Sequence, residues 1–427
     1  MELKKGYKQT DIGIIPKDWS VTKVGEVCNI IGRIGYRGYT KEDIVKKNYG
    51  AIALSPSNIK DDEIEYNNLT YISWFKYEES PEIKIFENDI ILVKTGSTYG
   101  KTCLVKNLKT RATINPQLVV LKNITINNVL LSYLFKNRII QNQISKTIVG
   151  GAIPTLSQKQ VASYIFPLPS TLIEQKAIAQ ILTDTDQLIQ NLKTLIAKKK
   201  AIKQGAMQEL LTGKKRLKGF SGVWEIKTLG DIAFIKTGSK NNQDKVSDGQ
   251  YPFFVRSQTI ERINSYSYDC EAILIPGEGG IGSIFHYLNE KFDVHQRVYV
   301  ISQFSEKVFG KYVYLYMKEY FGEHAMKNSV KATVDSLRLP TFQVFELHIP
   351  KDIEEQKAIA QILSDMDLEI EALEIQLQKT QNLKQGMMQE LLTGRIRLID
   401  STNENLESKN DSFLMAAEPK TQYKTTR

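Results

Sequence analysis

The chain repeats itself, and that repeat limits its possible folds more than any other feature. EQKAIAQILTDTDQLIQ opens at Glu174 and EQKAIAQILSDMDLEIE at Glu355, 181 residues further on. The same offset joins KQGAMQELLTGKKRL, from Lys203 to Leu217, to KQGMMQELLTGRIRL, from Lys384 to Leu398, without a gap. A duplication of this length makes one structural unit occur twice. Both copies predict long helices. In the second, Ile359, Leu363, Met366, Ile370, Leu373, Leu377 and Thr380 step by fours and threes along a heptad seam. The equivalent line in the first is Ile178, Leu182, Thr185, Ile189, Leu192, Ile196 and Lys199. Thr171 with Glu174, and Asp352 with Glu355, have capping-box spacing just after Pro169 and Pro350. Gly213 and Gly394 supply the stops. Each helix then covers about 40 residues, or roughly 60 Å.

Charge predicts how the two helices pair. The first is basic toward its C-terminal half (Lys193, Lys198, Lys199, Lys200, Lys203), and the second is acidic toward its N-terminal half (Glu369, Glu371, Glu374). Antiparallel pairing brings these stretches together. Parallel pairing in register sets Lys198 beside Lys379 and Lys203 beside Lys384. Surface ion pairs add little stability but can select orientation, so an antiparallel pair is expected.

A strand-rich segment precedes each helix, and the two segments are only distantly alike. Trp19 with VGEV (Val24 to Val27) corresponds to Trp224 with LGDI (Leu229 to Ile232). Tyr49-GAIALSPSNI matches Tyr251-PFFVRSQTI in pattern, and DIILVKTGSTYGK from Asp89 matches EAILIPGEGGIGS from Glu271. A further strand is expected in each, around INPQLVVL (Ile114 to Leu121) and VHQRVYVI (Val294 to Ile301). At 427 residues the chain has room for two or three domains. Its net charge of +9 is compatible with a polyanionic partner without requiring one. Cys28, Cys103 and Cys270 lie far apart and read as small hydrophobes rather than a disulfide framework or metal site. No apolar run approaches the roughly 20 residues of a membrane span. The charged N-terminus lacks a secretion signal, so a cytoplasmic location is expected.

Two divergent segments, each followed by a near-identical helix with EQKAIAQIL at its start and QELLTG at its end, resemble the specificity subunits of type I restriction–modification systems. The TGSTYGK element is also similar to that family. The resemblance covers nearly the whole chain and implies an α+β architecture with a pseudo-twofold internal repeat. By that resemblance, two mixed, strand-rich target-recognition domains are expected to be separated by two long antiparallel helices forming a coiled-coil spacer. The implied boundaries are 1–169 for the first recognition domain, 170–213 for the first spacer helix and 214–350 for the second recognition domain. The second helix then spans 351–394, followed by a polar tail, 395–427, of disordered composition. The resemblance also implies that each recognition domain reads one half of a split, asymmetric site in double-stranded DNA. By the same resemblance the helices are expected to set the gap and dock two methyltransferase subunits, with endonuclease/translocase subunits joining the full complex. The chain itself is expected to be non-catalytic, with no cofactor and no metal.

On this reading the DNA-contacting candidates in the first half are Asn58, Lys94, Thr95, Ser97, Thr98, Tyr99, Lys101 and Gln117. In the second half they are Arg256, Ser257, Gln258, His295, Gln296 and Arg297. These are residue types that reach phosphates and base edges, though ordinary surface polarity accounts for the same residues. Gln175, Lys176, Gln208 and Glu209, with Gln356, Lys357, Gln389 and Glu390, are the candidates for partner docking; helix capping and solvation are the plainer explanation.

Two motifs point elsewhere. KTGSTYGKT (Lys94 to Thr102) resembles a phosphate-binding P-loop, but Thr95 stands where the first glycine is needed. GEGGIG (Gly277 to Gly282) satisfies a dinucleotide fingerprint, yet the following sequence reads as strand and turn where such a site needs a helix. No N/D-P-P-F/Y methyltransferase motif occurs; Asn115-Pro116-Gln117 is the nearest and is incomplete. His286, His295, His324 and His348 lack zinc-ligand spacing. The rival readings are a P-loop-like nucleotide-binding enzyme and a coiled-coil adaptor.

Overall fold

The computed structural model describes residues 5–147, 154–328 and 336–398. The heptad seams become two helices, Leu172–Leu210 and Ile353–Leu391, of 39 residues each. Gly213 and Gly394 follow them in the left-handed region, at φ +70° and +69°. A Cβ would press on the Trp224 ring at Gly213 and on the Pro16 ring at Gly394, so these stops require glycine twice over. The chain forms two compact units. One runs from the N-terminus to Gln190 and resumes at Gln378; the other is Asn191–Leu377. Each unit therefore holds one strand-rich globule and one end of each long helix.

In the first unit, Ile178, Ala179 and Leu182 of the first helix and Leu391 and Leu392 of the second share a core with Trp19, Leu131, Leu134 and Phe135. In the second unit, Met207, Leu210 and Leu211 share one with Ile359, Ala360, Leu363, Phe321 and Phe342. The helix ends pair antiparallel within each unit, as their charges predict. Lys199 meets Glu369 at 2.6 Å, Lys200 meets Glu374 at 2.7 Å and Lys203 meets Asp367 at 2.5 Å in the second unit. In the first, Lys384 meets Asp186 at 2.5 Å. The seam residues Ile178, Leu182, Ile189, Leu192, Ile196, Ile359, Leu363 and Ile370 are buried, and the pattern extends through Lys203 to Met207.

The two globules share a strand plan. Val24–Val27 and Leu229–Ile232 are the same short helix, each after an edge strand (Ser20–Lys23, Trp224–Thr228) that pairs with the strand leading into a long helix. In the first unit, the wholly buried strand Gly50–Leu54 runs parallel to Ala112–Ile114 within a five-stranded sheet. An apolar run without alternation is what burial on both faces requires. Ile90–Val93 and Leu118–Lys122 are central to a second, four-stranded antiparallel sheet. In the second unit, Tyr251–Phe254 runs parallel to the end of His286–Val294. That nine-residue strand also pairs with Tyr268–Pro276, which keeps six strands in one sheet.

The capping boxes form only in part. Thr171 Oγ1 accepts from Glu174 N at 3.2 Å, and Asp352 Oδ1 accepts from Glu354 N at 2.9 Å. The glutamates do not return the bond, because each carboxylate is taken by an arginine that follows the other long helix's stop. Arg397 donates to Glu174 at 2.5 and 2.9 Å and also holds Asp18. Arg216 donates to Glu355 at 2.6 and 2.7 Å. Arg397 lies in the stretch that the sequence assigns to the polar tail; the remainder of that stretch, 399–427, lies outside the described residues.

Candidate nucleic-acid interface

The parallel strand pair ends at a rim in each unit, and three loops gather there. In the first unit, Asn115 N donates to Leu54 O at 2.8 Å, which ties the loop after Gly50–Leu54 to the turn Asn115–Gln117. Lys94 N donates to Gln117 O at 2.9 Å, which brings in the Thr95–Thr98 loop. Ser55, Pro56, Ser57, Thr95, Gly96, Ser97, Thr98 and Gln117 line an open cleft of about 270 Å³. Asn115 Nδ2 donates to Gln117 Oε1 at 3.1 Å and aims that exposed amide. Lys94 is half-buried and Lys101 exposed beside the cleft.

Two candidates sit differently. Asn58 is 2% exposed; its amide accepts from Ser55 N and donates to Asn67 O, so it folds the loop. Ser55 and Ser57, absent from the sequence-based candidates, occupy the surface in its place. Tyr99 packs its ring against the first unit's core. Another missed segment is Gly35–Arg37. Arg33, buried, donates to Ile114 O at 3.0 Å and Arg37 O at 3.2 Å, and so holds this loop beside the rim. Tyr36, 81% exposed, projects from it. The signal was an aromatic residue between two glycines and two arginines, Arg33-Ile-Gly-Tyr-Arg-Gly.

The second unit repeats these ties. His295 N donates to Phe254 O at 2.9 Å and Gly277 N to Arg297 O at 2.8 Å. These bonds set Asn115 against His295, Gln117 against Arg297, Thr95 against Glu278, and Pro56 against Arg256. The pattern match from Asp89 and Glu271 places Thr95 one residue earlier, and the tyrosine match places Leu54 on Arg256; hydrogen-bond register corrects both. Arg256, Gln258, Gln296 and Arg297 are exposed and Ser257 half-exposed. Glu278 bridges Arg256 and Arg297. Gln296 Nε2 donates to Asn241 Oδ1 at 2.6 Å, adding Asn241 to this rim. His295 is buried, and its Nδ1 accepts from Arg297 N at 3.0 Å. Burial first, and then the charges of Arg256 and Arg297, lower its pKa.

Both misleading loops lack the helix that their motifs require. Ile90–Val93 returns through Thr95–Gly100 into Thr102–Leu104, an antiparallel hairpin rather than a strand feeding a helix. Gly277–Gly282 leads into the strand His286–Val294. Among the described residues no group of three or more His, Cys, Asp and Glu side chains is placed to hold a metal. Burial pushes the Cys28 and Cys103 thiols up to about 12, as befits packing groups. No helix of the described residues is long and apolar enough to cross a membrane.

The docking candidates divide into two groups. Gln175 is buried, donating to Pro169 O and accepting from Asn127 N; Gln356 is buried, donating to Lys307 O and Pro350 O and accepting from Phe309 N. Each amide fastens its helix start to the globule and offers nothing to a partner. Lys176, Gln208, Glu209, Lys357 and Gln389 are exposed; Glu390 is half-buried and pairs with Arg395.

Two strand-rich heads that present unlike polar rims, each built onto the ends of a long helix pair, define a bipartite binding protein. Comparison makes this specific. The model of the type I restriction modification DNA specificity domain matches residues 16–201 and again 222–381. The chain belongs to that family and is a type I specificity subunit with two target-recognition domains. It is 28% identical to the type I restriction enzyme MjaVIII specificity subunit of Methanocaldococcus jannaschii, over 90% of this chain and 94% of that protein. The type I restriction–modification S subunit from M. genitalium has a similar fold, with TM-score 0.61 at 15% identity, covering 92% of this chain and 98% of that one. A chain from a structure of type I complex assembly and conformational transition gives TM-score 0.54 at 16% identity, over 90% of this chain and 99% of its own.

Proposed function

We propose that the two rims each read one half of a split, asymmetric site in double-stranded DNA. The observation that carries this is one loop scaffold built twice on the same parallel strand pair with unlike side chains. Hydroxyls and an amide line the first rim; arginines, a glutamate and a glutamine line the second. Equal scaffolds allow equal approach to a duplex, and unequal side chains demand unequal bases. Residues 1–169 and 214–350 are the readers, 170–213 and 351–394 the spacer that sets the unread gap, and 395–427 a tail. Two half-sites about one helical turn or somewhat more apart suit such a reader. The exposed helix-end residues Lys176, Gln208, Glu209, Lys357 and Gln389 dock two methyltransferase subunits, whose chemistry this chain directs without sharing in it. Endonuclease/translocase subunits complete the assembly, in the cytoplasm and with no cofactor held by this chain. Exchange of residues 1–169 for those of a relative tests the proposal, with methylated positions mapped in cells that carry the partner subunits. One half-site is expected to change; alteration on both sides of the gap, or on neither, overturns it.

A further inference from the structure

The second rim contains an arrangement that the first lacks. Glu278 Oε2 accepts from Arg256 Nη1 at 3.1 Å, and Glu278 Oε1 forms an ion pair with Arg297 Nη1 at 3.0 Å, one carboxylate oxygen to each arginine. The arginine side chains are 51% and 59% exposed and the glutamate 23%, so the carboxylate lies behind the two guanidiniums. The backbone around it is tied on both sides. Gly277 N donates to Arg297 O and Leu337 N to Gly277 O, each at 2.8 Å, and Glu278 forms a β-bridge with Ser336. Gly279 and Gly280 turn the chain away at φ +70° and +64°, a conformation that leaves Glu278 at the head of the loop.

We infer that Glu278 orients Arg256 and Arg297 as readers of guanine in the major groove of the half-site addressed by the second unit. The inference rests on the reading of this rim as a DNA interface. Each guanidinium has five N–H donors in a planar fork, and Glu278 engages one Nη1 of each. The Nε–Nη2 edge of each can then make two parallel bonds, the pattern that guanine O6 and N7 accept. Phosphate is the other partner that arginine commonly serves, and Glu278 disfavours it. The shared carboxylate cancels one of two positive charges and already occupies one Nη1 of each arginine. It fixes the direction of the donors while weakening their pull on an anion, which favours selection over grip. The corresponding places in the first unit hold Pro56, Thr95 and Gln117, so no such device serves the other half-site.

The test uses the complex of the full chain with its methyltransferase subunits and maps methylated positions across a plasmid library of random sequence. Exchange of residues 214–350 first identifies the half-site read by the second unit. That half-site is expected to require at least one guanine. Arg256→Gln and Arg297→Gln should each lower discrimination at one guanine position by roughly ten- to a hundredfold. Glu278→Gln should keep the same positions with weaker preference. Unchanged selectivity for the other half-site shows that the variant complexes are folded. A half-site without a guanine requirement overturns the inference. So does a loss of methylation that is uniform over all sequences and accompanied by a shallower salt dependence, the mark of phosphate contacts. If exchange of 214–350 alters neither half-site, the DNA-reading proposal itself fails, which is a separate outcome.

Discussion

Removing Arg216 is expected to destabilise the second unit through one buried carboxylate. Glu355 is 1% exposed, and its only hydrogen-bond donor among the described contacts is Arg216, at 2.6 and 2.7 Å. Breaking a buried pair from one side costs about 3–5 kcal/mol, mostly for the charge left behind. Arg216 itself is 28% exposed, so water can reach part of the space it vacates and the lower end, about 3 kcal/mol, applies. Adding Glu355→Gln to Arg216→Ala removes the stranded charge. The double variant should recover all but about 1 kcal/mol, the scale of the lost hydrogen bonding. The first unit provides an internal comparison. There Trp19 Nε1 donates to Glu174 at 3.1 Å, whereas the equivalent Trp224 Nε1 has no partner. A hydrogen bond to a charged group contributes about 1.5–3 kcal/mol, so Arg397→Ala should cost its unit less than Arg216→Ala costs the second, even with about 1 kcal/mol or less added for its pair with the part-exposed Asp18. Hydrogen exchange of the full chain measures each unit separately, in the strand pairs Trp224–Thr228 with Glu346–Pro350 and Ser20–Lys23 with Ile165–Leu168. Protection in the former pair changed by less than about 0.5 kcal/mol in Arg216→Ala would refute the reasoning. A double variant no more stable than the single would do the same.

The other predictions concern acidity and spacing. His286 is buried against Phe254, and burial lowers its pKa from 6.5. The stability it contributes to the second unit is fully present above pH 6.5 and is lost as pH falls through the lowered native value. Urea midpoints for that unit should therefore drop on acidification, less so in His286→Gln; identical pH profiles for the two proteins count against the assignment. Because ion pairs hold the long helices in register on both sides of Thr194, the spacer must be lengthened in both strands of the pair. Four helix-forming residues at Thr194, matched by four at Leu377, add slightly more than one turn and about 6 Å. The unread gap should grow by one or two base pairs, at roughly 3.4 Å each, with both half-sites unchanged. Methylation mapping reads this directly, and an unchanged gap with full activity removes the helices as the ruler.

Much of the architecture was legible in the sequence because the forces behind it act between near neighbours or repeat at a fixed period. The apolar seam of both long helices and their glycine stops follow from residues three, four or a few turns apart, and the orientation from opposite charge gathered within each helix around Lys199, Lys200, Glu369 and Glu374. The duplication made the same point twice, which separated a spacer from an ordinary amphipathic helix. Three of the four loop regions at the first rim, and two of the four at the second, could be named for the same reason: strand, glycine and polar residues occur in matching order in both halves.

Tertiary structure decided which of those side chains face outward and what they face. Arg397 finds Glu174 across 223 residues of chain, and Arg216 finds Glu355 across 139, so local spacing suggested a capping box where the fold places an ion pair. Asn58, Gln175 and Gln356 carry exposed-looking amides, yet each is buried and bonded to backbone outside its own turn, Asn58 to Asn67 O, Gln175 to Asn127 N and Gln356 to Phe309 N. The register of Tyr251–Phe254 parallel to His286–Val294, together with that of Tyr268–Pro276 antiparallel to Val298–Ser302, sets Glu278 between Arg256 and Arg297, which the alignment of two divergent segments does not. Pairing across a sheet fixes position to within one residue, and a shift of one residue turns a side chain to the opposite face. For that physical reason the sequence alone determined two strand-rich heads on a helical spacer, while only the folded chain determined which residues line their rims.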